Sequence, residues 1–121
     1  MQNSFIEMLK ENLERIDWYF SVTNSQNSWD DIDFNYTSPA GEDFWFSVCC
    51  ETPYELYKEV EEYANDFDAE EHASMWIEAK ARGKKGIPSL RGLIDDADEI
   101  KKDLIKLSQQ VKETVKKWST K

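Results

Sequence analysis

Glycine and proline are scarce in this chain, four and three residues in 121, and there is a single histidine. The glycines form neither a G-x-x-x-x-G-K-[ST] phosphate loop nor a dinucleotide-binding pattern. Any Ser-His-Asp triad would have to be built on His72, and no G-x-S-x-G elbow accompanies it. The two cysteines are adjacent, Cys49-Cys50, which supplies no C-x-x-C ligand spacing. A vicinal disulfide is strained, so free thiols in a reducing cytosol are expected. No D-x-[DN]-x-[DN]-G calcium loop is present. No apolar run approaches the roughly 18–20 residues that cross a bilayer. Met1-Gln2-Asn3-Ser4 lacks the basic head of a secretory signal. Bases are outnumbered 15 to 25 by acids, for a net charge of −10, which disfavours direct DNA or RNA binding. The expectation is a cytoplasmic protein that is not an enzyme, with no cofactor and no metal.

What is present is apolar mass and segregated charge. Forty per cent hydrophobic and 13% aromatic residues suffice for one folded domain over 1–121. From Asp30 to Glu71 there are fourteen carboxylates and one base, Lys58; from Lys80 to Lys121 there are twelve bases and six carboxylates. A single-sign field of that kind concerns partners and encounter rates rather than fold.

Periodicity organises the chain into an α+β order. Ser4 and Glu7 form an S-x-x-E capping box for a helix over 4–16, with Leu9, Leu13 and Ile16 on one face. Trp18, Phe20 and Val22 then alternate with Tyr19, Ser21 and Thr23 as a strand, against the competing reading that the helix runs on through Tyr19 and Phe20. Ile32, Phe34 and Tyr36, then Phe44, Phe46 and Val48, alternate on either side of the Ser38-Pro39-Ala40-Gly41 turn. The region 18–50 is therefore a small antiparallel sheet of two or three strands. Thr52-Pro53-Tyr54-Glu55 starts a helix, and Asp68 with Glu71 caps another, so that 53–83 holds two helices. These carry Leu56, Val60, Tyr63, Ala64 and Phe67, then Ala69, Ala73, Trp76 and Ile77, inward. A long helix over 89–117 repeats Leu93, Ala97, Ile100, Leu104, Leu107, Val111 and Trp118 at heptad-like steps, with Thr114 the one polar member. At roughly 43 Å it is longer than a domain of this size is wide, so its tail is expected to project or to find a partner.

The acidic half supplies the candidate site. Glu55, Glu59, Glu62 and Asp66 fall within about 60° of one helical arc. Like charges at that spacing weaken a helix, so the stripe is either a solvated face or a surface kept for a partner. Asp31, Asp33 and Asp43 alternate outward on the hairpin, where neighbours two apart lie ~6.7 Å apart, on the order of a phosphate spacing. Trp45 falls on the same polar face, either as an interface anchor or beneath a covering helix. Asp30, Glu42, Glu51 and Trp29 lie nearby in sequence. Lys80, Arg82, Lys84, Lys85 and Arg91 cluster around a helix end, where cations complement the dipole; contact with nucleic acid or an acidic surface is the other reading. His72, with Ala69 and Trp76 at helical spacing, reads as a partly packed histidine.

Several short runs carry a resemblance: Glu61-Glu62-Tyr63-Ala64, Phe67-Asp68, Glu71-His72, Trp76-Ile77-Glu78, Ile87-Pro88-Ser89-Leu90-Arg91 and Leu93-Ile94-Asp95-Asp96-Ala97. Over a little under half the chain, the sequence is similar to small acidic accessory proteins of phages and conjugative elements of Gram-positive bacteria. That group includes anti-restriction and anti-CRISPR inhibitors, and the resemblance implies a mobile-element accessory protein in a bacterial host. It carries over no site residue. Joined to the charge pattern, the expected function is inhibition of a basic nucleic-acid-binding protein, such as a CRISPR or restriction nuclease, through an acidic mimic of nucleic acid. Asp31, Asp33, Asp43, Glu55, Glu59, Glu62 and Asp66 would supply charge and Trp45 an anchor. The alternative is an adaptor that forms a homodimer through Leu93, Ile100, Leu104, Leu107 and Val111.

Overall fold

The computed structural model describes residues 1–24, 29–80 and 90–120. The element order is α1 (Asn3–Glu14), β1 (Tyr19–Asn24), β2 (Asp30–Thr37), β3 (Asp43–Cys50), α2 (Pro53–Asp66), α3 (Ala69–Lys80) and α4 (Leu90–Ser119). The fold is α+β, with an antiparallel sheet of order β1-β2-β3. Helices α1 and α2 accompany the two edge strands, and α4 packs against α1, α2 and α3. Among the described residues no helix is long and apolar enough to cross a membrane.

Alternation decides the layering. Ile32, Phe34, Tyr36, Phe44, Phe46 and Val48 all turn to the helices and are buried, with Trp18 beneath them. Trp18 stacks on Tyr36 with centroids 4.8 Å apart, and Phe46 stacks on Tyr63 of α2 at 4.1 Å. A sheet with most of its apolar side chains on one face buries that face and leaves the other to solvent.

Local chemistry sets the ends of the elements. Thr52 caps α2 as expected, its Oγ1 accepting from the Glu55 amide at 3.2 Å. Asp68 caps α3 in the same way, Oδ1 accepting from the Glu71 amide at 3.0 Å. The expected Ser4–Glu7 box does not form. The cap of α1 is Gln2, without a side-chain bond, and Ser4 is already inside the helix. The first helical bond runs from the Ile6 amide to the Gln2 carbonyl. Ser4 Oγ instead accepts from Trp118 Nε1 at 3.4 Å.

The helix does not run on through Tyr19. The Trp18 amide donates to the Leu13 carbonyl at 3.0 Å and the Asp17 amide to that of Glu14 at 3.2 Å, with Asp17 left-handed at φ 63. That is a Schellman-type stop, and β1 begins two residues later.

The long helix is where expectation and structure part. Its 30 residues do not leave a projecting tail. Ile100, Leu104, Leu107, Val111 and Thr114 are all fully buried within the domain. Thr114 Oγ1 donates to the Gln110 carbonyl and accepts from Asn12 Nδ2 at 2.9 Å, so the polar member of the stripe is satisfied inside. Near the end of the helix, Trp118 meets Phe5 of α1 edge-to-face at 5.7 Å. The rod is accommodated because α1, α2 and α3 all pack against it. From Ile100 to Thr114 the stripe is thus core; Leu93, its first member, has a side chain outside the described residues. The same holds for the side chains of Trp76 and Ile77, for Gly83 and Ser89, and for the basic cluster Lys80, Arg82, Lys84, Lys85 and Arg91.

Truncating a fully buried leucine costs about 2–5 kcal/mol. Leu104→Ala is therefore expected to lower the urea-unfolding free energy by about that amount. Leu104→Asp should abolish the folded circular-dichroism signal. A folded Leu104→Asp protein would contradict the internal position of this side chain.

Candidate interaction surface

The solvent face of the sheet is made of cross-strand rows fixed by register. Thr23, Asp31 and Cys49 form one row, Ser21, Asp33 and Ser47 the next, Tyr19, Asn35 and Trp45 a third, and Thr37 with Asp43 the last. Asp33, Asp43 and Trp45 are exposed as the alternation predicts, and Asp31 is half-buried. Trp45 is 68% exposed, so among the described residues no helix covers it. Ser47 Oγ donates to Asp33 Oδ1. The Cys49 thiol is hydrogen-bonded to Asp31, which, with neighbouring carboxylates including Glu59, holds its pKa above the usual thiol value.

That influence of Glu59 on Cys49 also locates the helical stripe. Helix α2 runs beside edge strand β3, and Glu55 acts on Cys50 as Glu59 acts on Cys49. Glu55, Glu59, Glu62 and Asp66 are all exposed. The N-terminal half of the stripe therefore lies near the end of β3, against which α2 packs. Glu55 has a structural task as well, since its Oε2 accepts from the Glu51 amide at 3.0 Å ahead of the helix. Lys58, the one base in this stretch, lies 3.8 Å from Glu61 and over the rings of Tyr54 and Tyr57. Among the described residues no cation comes within ion-pair distance of Glu59, Glu62 or Asp66.

Two acids of the same sequence band serve the interior. Asp30 is only 5% exposed and pairs with the Met1 ammonium. Glu42 Oε1 meets His72 Nε2 at 2.8 Å, with the imidazole packed against Phe44 and Phe67. Strand parity is the signal for Asp30, which shares its phase with the inward Ile32 and Phe34. Two residues not singled out from sequence belong to the surface. Tyr19 is 52% exposed and stands opposite Asn35, which in turn stands opposite Trp45. Hollows of about 450 and 420 Å³ flank Asn35, one toward Thr37 and Asp43, the other toward Ser21 and Asp33; Tyr19 and Trp45 bound both.

Among the described residues, six groups are held more firmly protonated: Tyr36 by burial, Cys50 by burial, Tyr63 by burial, Tyr57 by its bond to Glu61, Cys49 by Asp31 and Lys102 by Glu99. Among the described residues no three His, Cys, Asp or Glu side chains gather as a metal site. No protein-family model matches the chain, and neither a curated protein nor a solved structure does.

Burial pushes the Cys50 thiol up to about 12, with Asp30 adding to it. The unfolded chain releases this proton first, so the stabilisation is present below about pH 9 and is lost as pH rises through the folded value. Urea titrations at increasing alkaline pH should show a falling midpoint, with at most about 1.4 kcal/mol per pH unit from this one group. Cys50→Ala should fall less steeply. Equal slopes for the two proteins would refute the assignment.

Proposed function

We propose that this is a non-enzymatic binding protein that docks the sheet face and the α2 stripe onto a basic, nucleic-acid-gripping surface of another protein. The observation that carries the reading is Trp45, 68% exposed between Asp33 and Asp43 on a sheet face that no described element covers. Trp45 shares its row with Tyr19, itself 52% exposed, and adjoining exposed apolar groups mark interaction surfaces, where tryptophan is favoured at the energetic centre.

The carboxylates give the surface its choice of partner. Asp31 and Asp33 are two residues apart on β2, a separation of ~6.7 Å, comparable with phosphates along one strand of nucleic acid. The stripe of α2 continues the same sign around the edge of the sheet. A protein that grips phosphates with lysine and arginine would meet here an acidic row in place of its ligand. The resemblance to mobile-element proteins favours a CRISPR or restriction nuclease in the cytoplasm of a bacterial host as that partner. The protein then acts by occupying the groove and blocking access to it. Self-association through α4 has less support, because Ile100, Leu104, Leu107 and Val111 are already buried in the core.

Binding of this kind is steered by charge and weakened by salt. Immobilised protein should retain a nucleic-acid-binding protein from a bacterial lysate, release it to competing duplex DNA, and lose at least about tenfold in affinity between low and physiological salt. Glu55→Lys, Glu59→Lys and Glu62→Lys combined should abolish retention. A captured protein that still binds DNA while held, or whose affinity ignores salt, would rule the mimicry out.

A further inference from the structure

The row Tyr19–Asn35–Trp45 has a geometry of its own within this surface. The two rings stand on strands either side of β2, so their Cα atoms are ~9.6 Å apart, twice the spacing of paired strands. Between them lies only Asn35, with a hollow on each side. Each hollow ends at a carboxylate: Asp33 is two residues from Asn35 on β2, and Asp43 is two residues from Trp45 on β3. Asp33 already accepts the Ser47 hydroxyl through Oδ1, which leaves Oδ2 available. Among the described residues Asp43 makes no side-chain hydrogen bond.

We infer that this row is an arginine clamp, which takes a guanidinium group of the partner between Tyr19 and Trp45 and forks it onto Asp33 or Asp43. The inference rests on the reading of this face as a docking surface for a basic protein and names the side chain that it reads. The occupant follows from charge and shape together. A planar cation suits a hollow bounded by two exposed aromatic side chains, since a guanidinium within ~6 Å of a ring is drawn to its quadrupole. Its in-plane donors pair with a carboxylate through two parallel bonds, and the Asn35 side-chain oxygen accepts a further one. A lysine ammonium is compact, strongly hydrated and has no plane to stack, so it gains from the acidic field alone. A nucleotide would stack equally well, but its phosphate would face Asp31, Asp33 and Asp43. The acidic stripe of α2 draws either basic residue; the clamp discriminates between them.

The test uses the full chain and two short synthetic peptides of equal length and charge, one bearing arginines and the other lysines at the same positions. Isothermal titration at low salt should give the arginine peptide an affinity about tenfold higher. Trp45→Ala and Tyr19→Ala should each bring the arginine peptide close to the level of the lysine peptide and leave the latter within about twofold of its original affinity. Trp45→Phe should keep most of the preference. The combined Glu55→Lys, Glu59→Lys and Glu62→Lys variant should weaken both peptides alike. Equal affinities in the unmodified protein overturn the clamp while leaving the charge-driven reading intact, provided that the α2 reversals weaken both. A preference that survives Trp45→Ala also overturns the clamp. If neither peptide binds, the clamp and the docking surface fall together.

Discussion

Burial of one apolar stripe on α4 against the inner face of the sheet is the constraint on which the remaining structure depends. Ile100, Leu104, Leu107 and Val111 are fully buried, and each such side chain is worth about 1.5–3 kcal/mol over its exposed state. Helices α1 and α2 complete the same layer, the first with Phe5, Leu9 and Leu13, the second with Leu56, Val60 and Ala64. Because these helices cover the face that holds Ile32, Phe34, Tyr36, Phe44, Phe46 and Val48, the other side of the sheet is left to solvent. The surface that carries Trp45 is in that sense a product of how the core is built.

Polar links then fix the hairpin that presents this face. Asp96 of α4, itself buried, accepts from Ser38 Oγ at 2.7 Å and from the Ala40 amide at 2.9 Å. Ser38 Oγ in turn accepts from the Glu42 amide at 3.0 Å. Tyr36 donates to Asp103, about two turns further along α4. The Glu42–His72 pair ties the start of β3 to α3. Together these bonds hold the β2–β3 turn against the helical layer, so that Asp43 and Trp45 project from a braced strand. Acids used in this way are turned to tasks inside the fold, and the remaining ones form the outward field.

The sequence carried most of the architecture because its two periods are cleanly written. Alternation over Ile32–Tyr36 and Phe44–Val48 placed the strands and their outward Asp33, Asp43 and Trp45, and cap chemistry at Thr52 and Asp68 placed two helix starts. The stop of α1 was harder to read, since an aspartate in the left-handed region leaves no mark on hydrophobic periodicity. A heptad-like stripe was ambiguous in principle: the same spacing serves a helix buried in its own domain and one that seeks a second copy. The row Tyr19–Asn35–Trp45 was invisible for a different reason. Its members are neighbours only through strand register, which links residues far apart in the chain. The internal roles of Asp30 and Glu42 were likewise hidden by a count of charges that made no distinction between faces.

The central claim is that α4 is the spine of the molecule and that the sheet face with the adjoining α2 stripe is its working surface. Amide chemical shifts recorded while an arginine-bearing peptide is titrated into the protein test this most directly. The account predicts perturbations concentrated on Tyr19, Asn35, Trp45 and its indole, and on the Glu59 side of α2, with the buried positions of α4 unmoved. Perturbations centred on α4, with Trp45 unchanged, would contradict it.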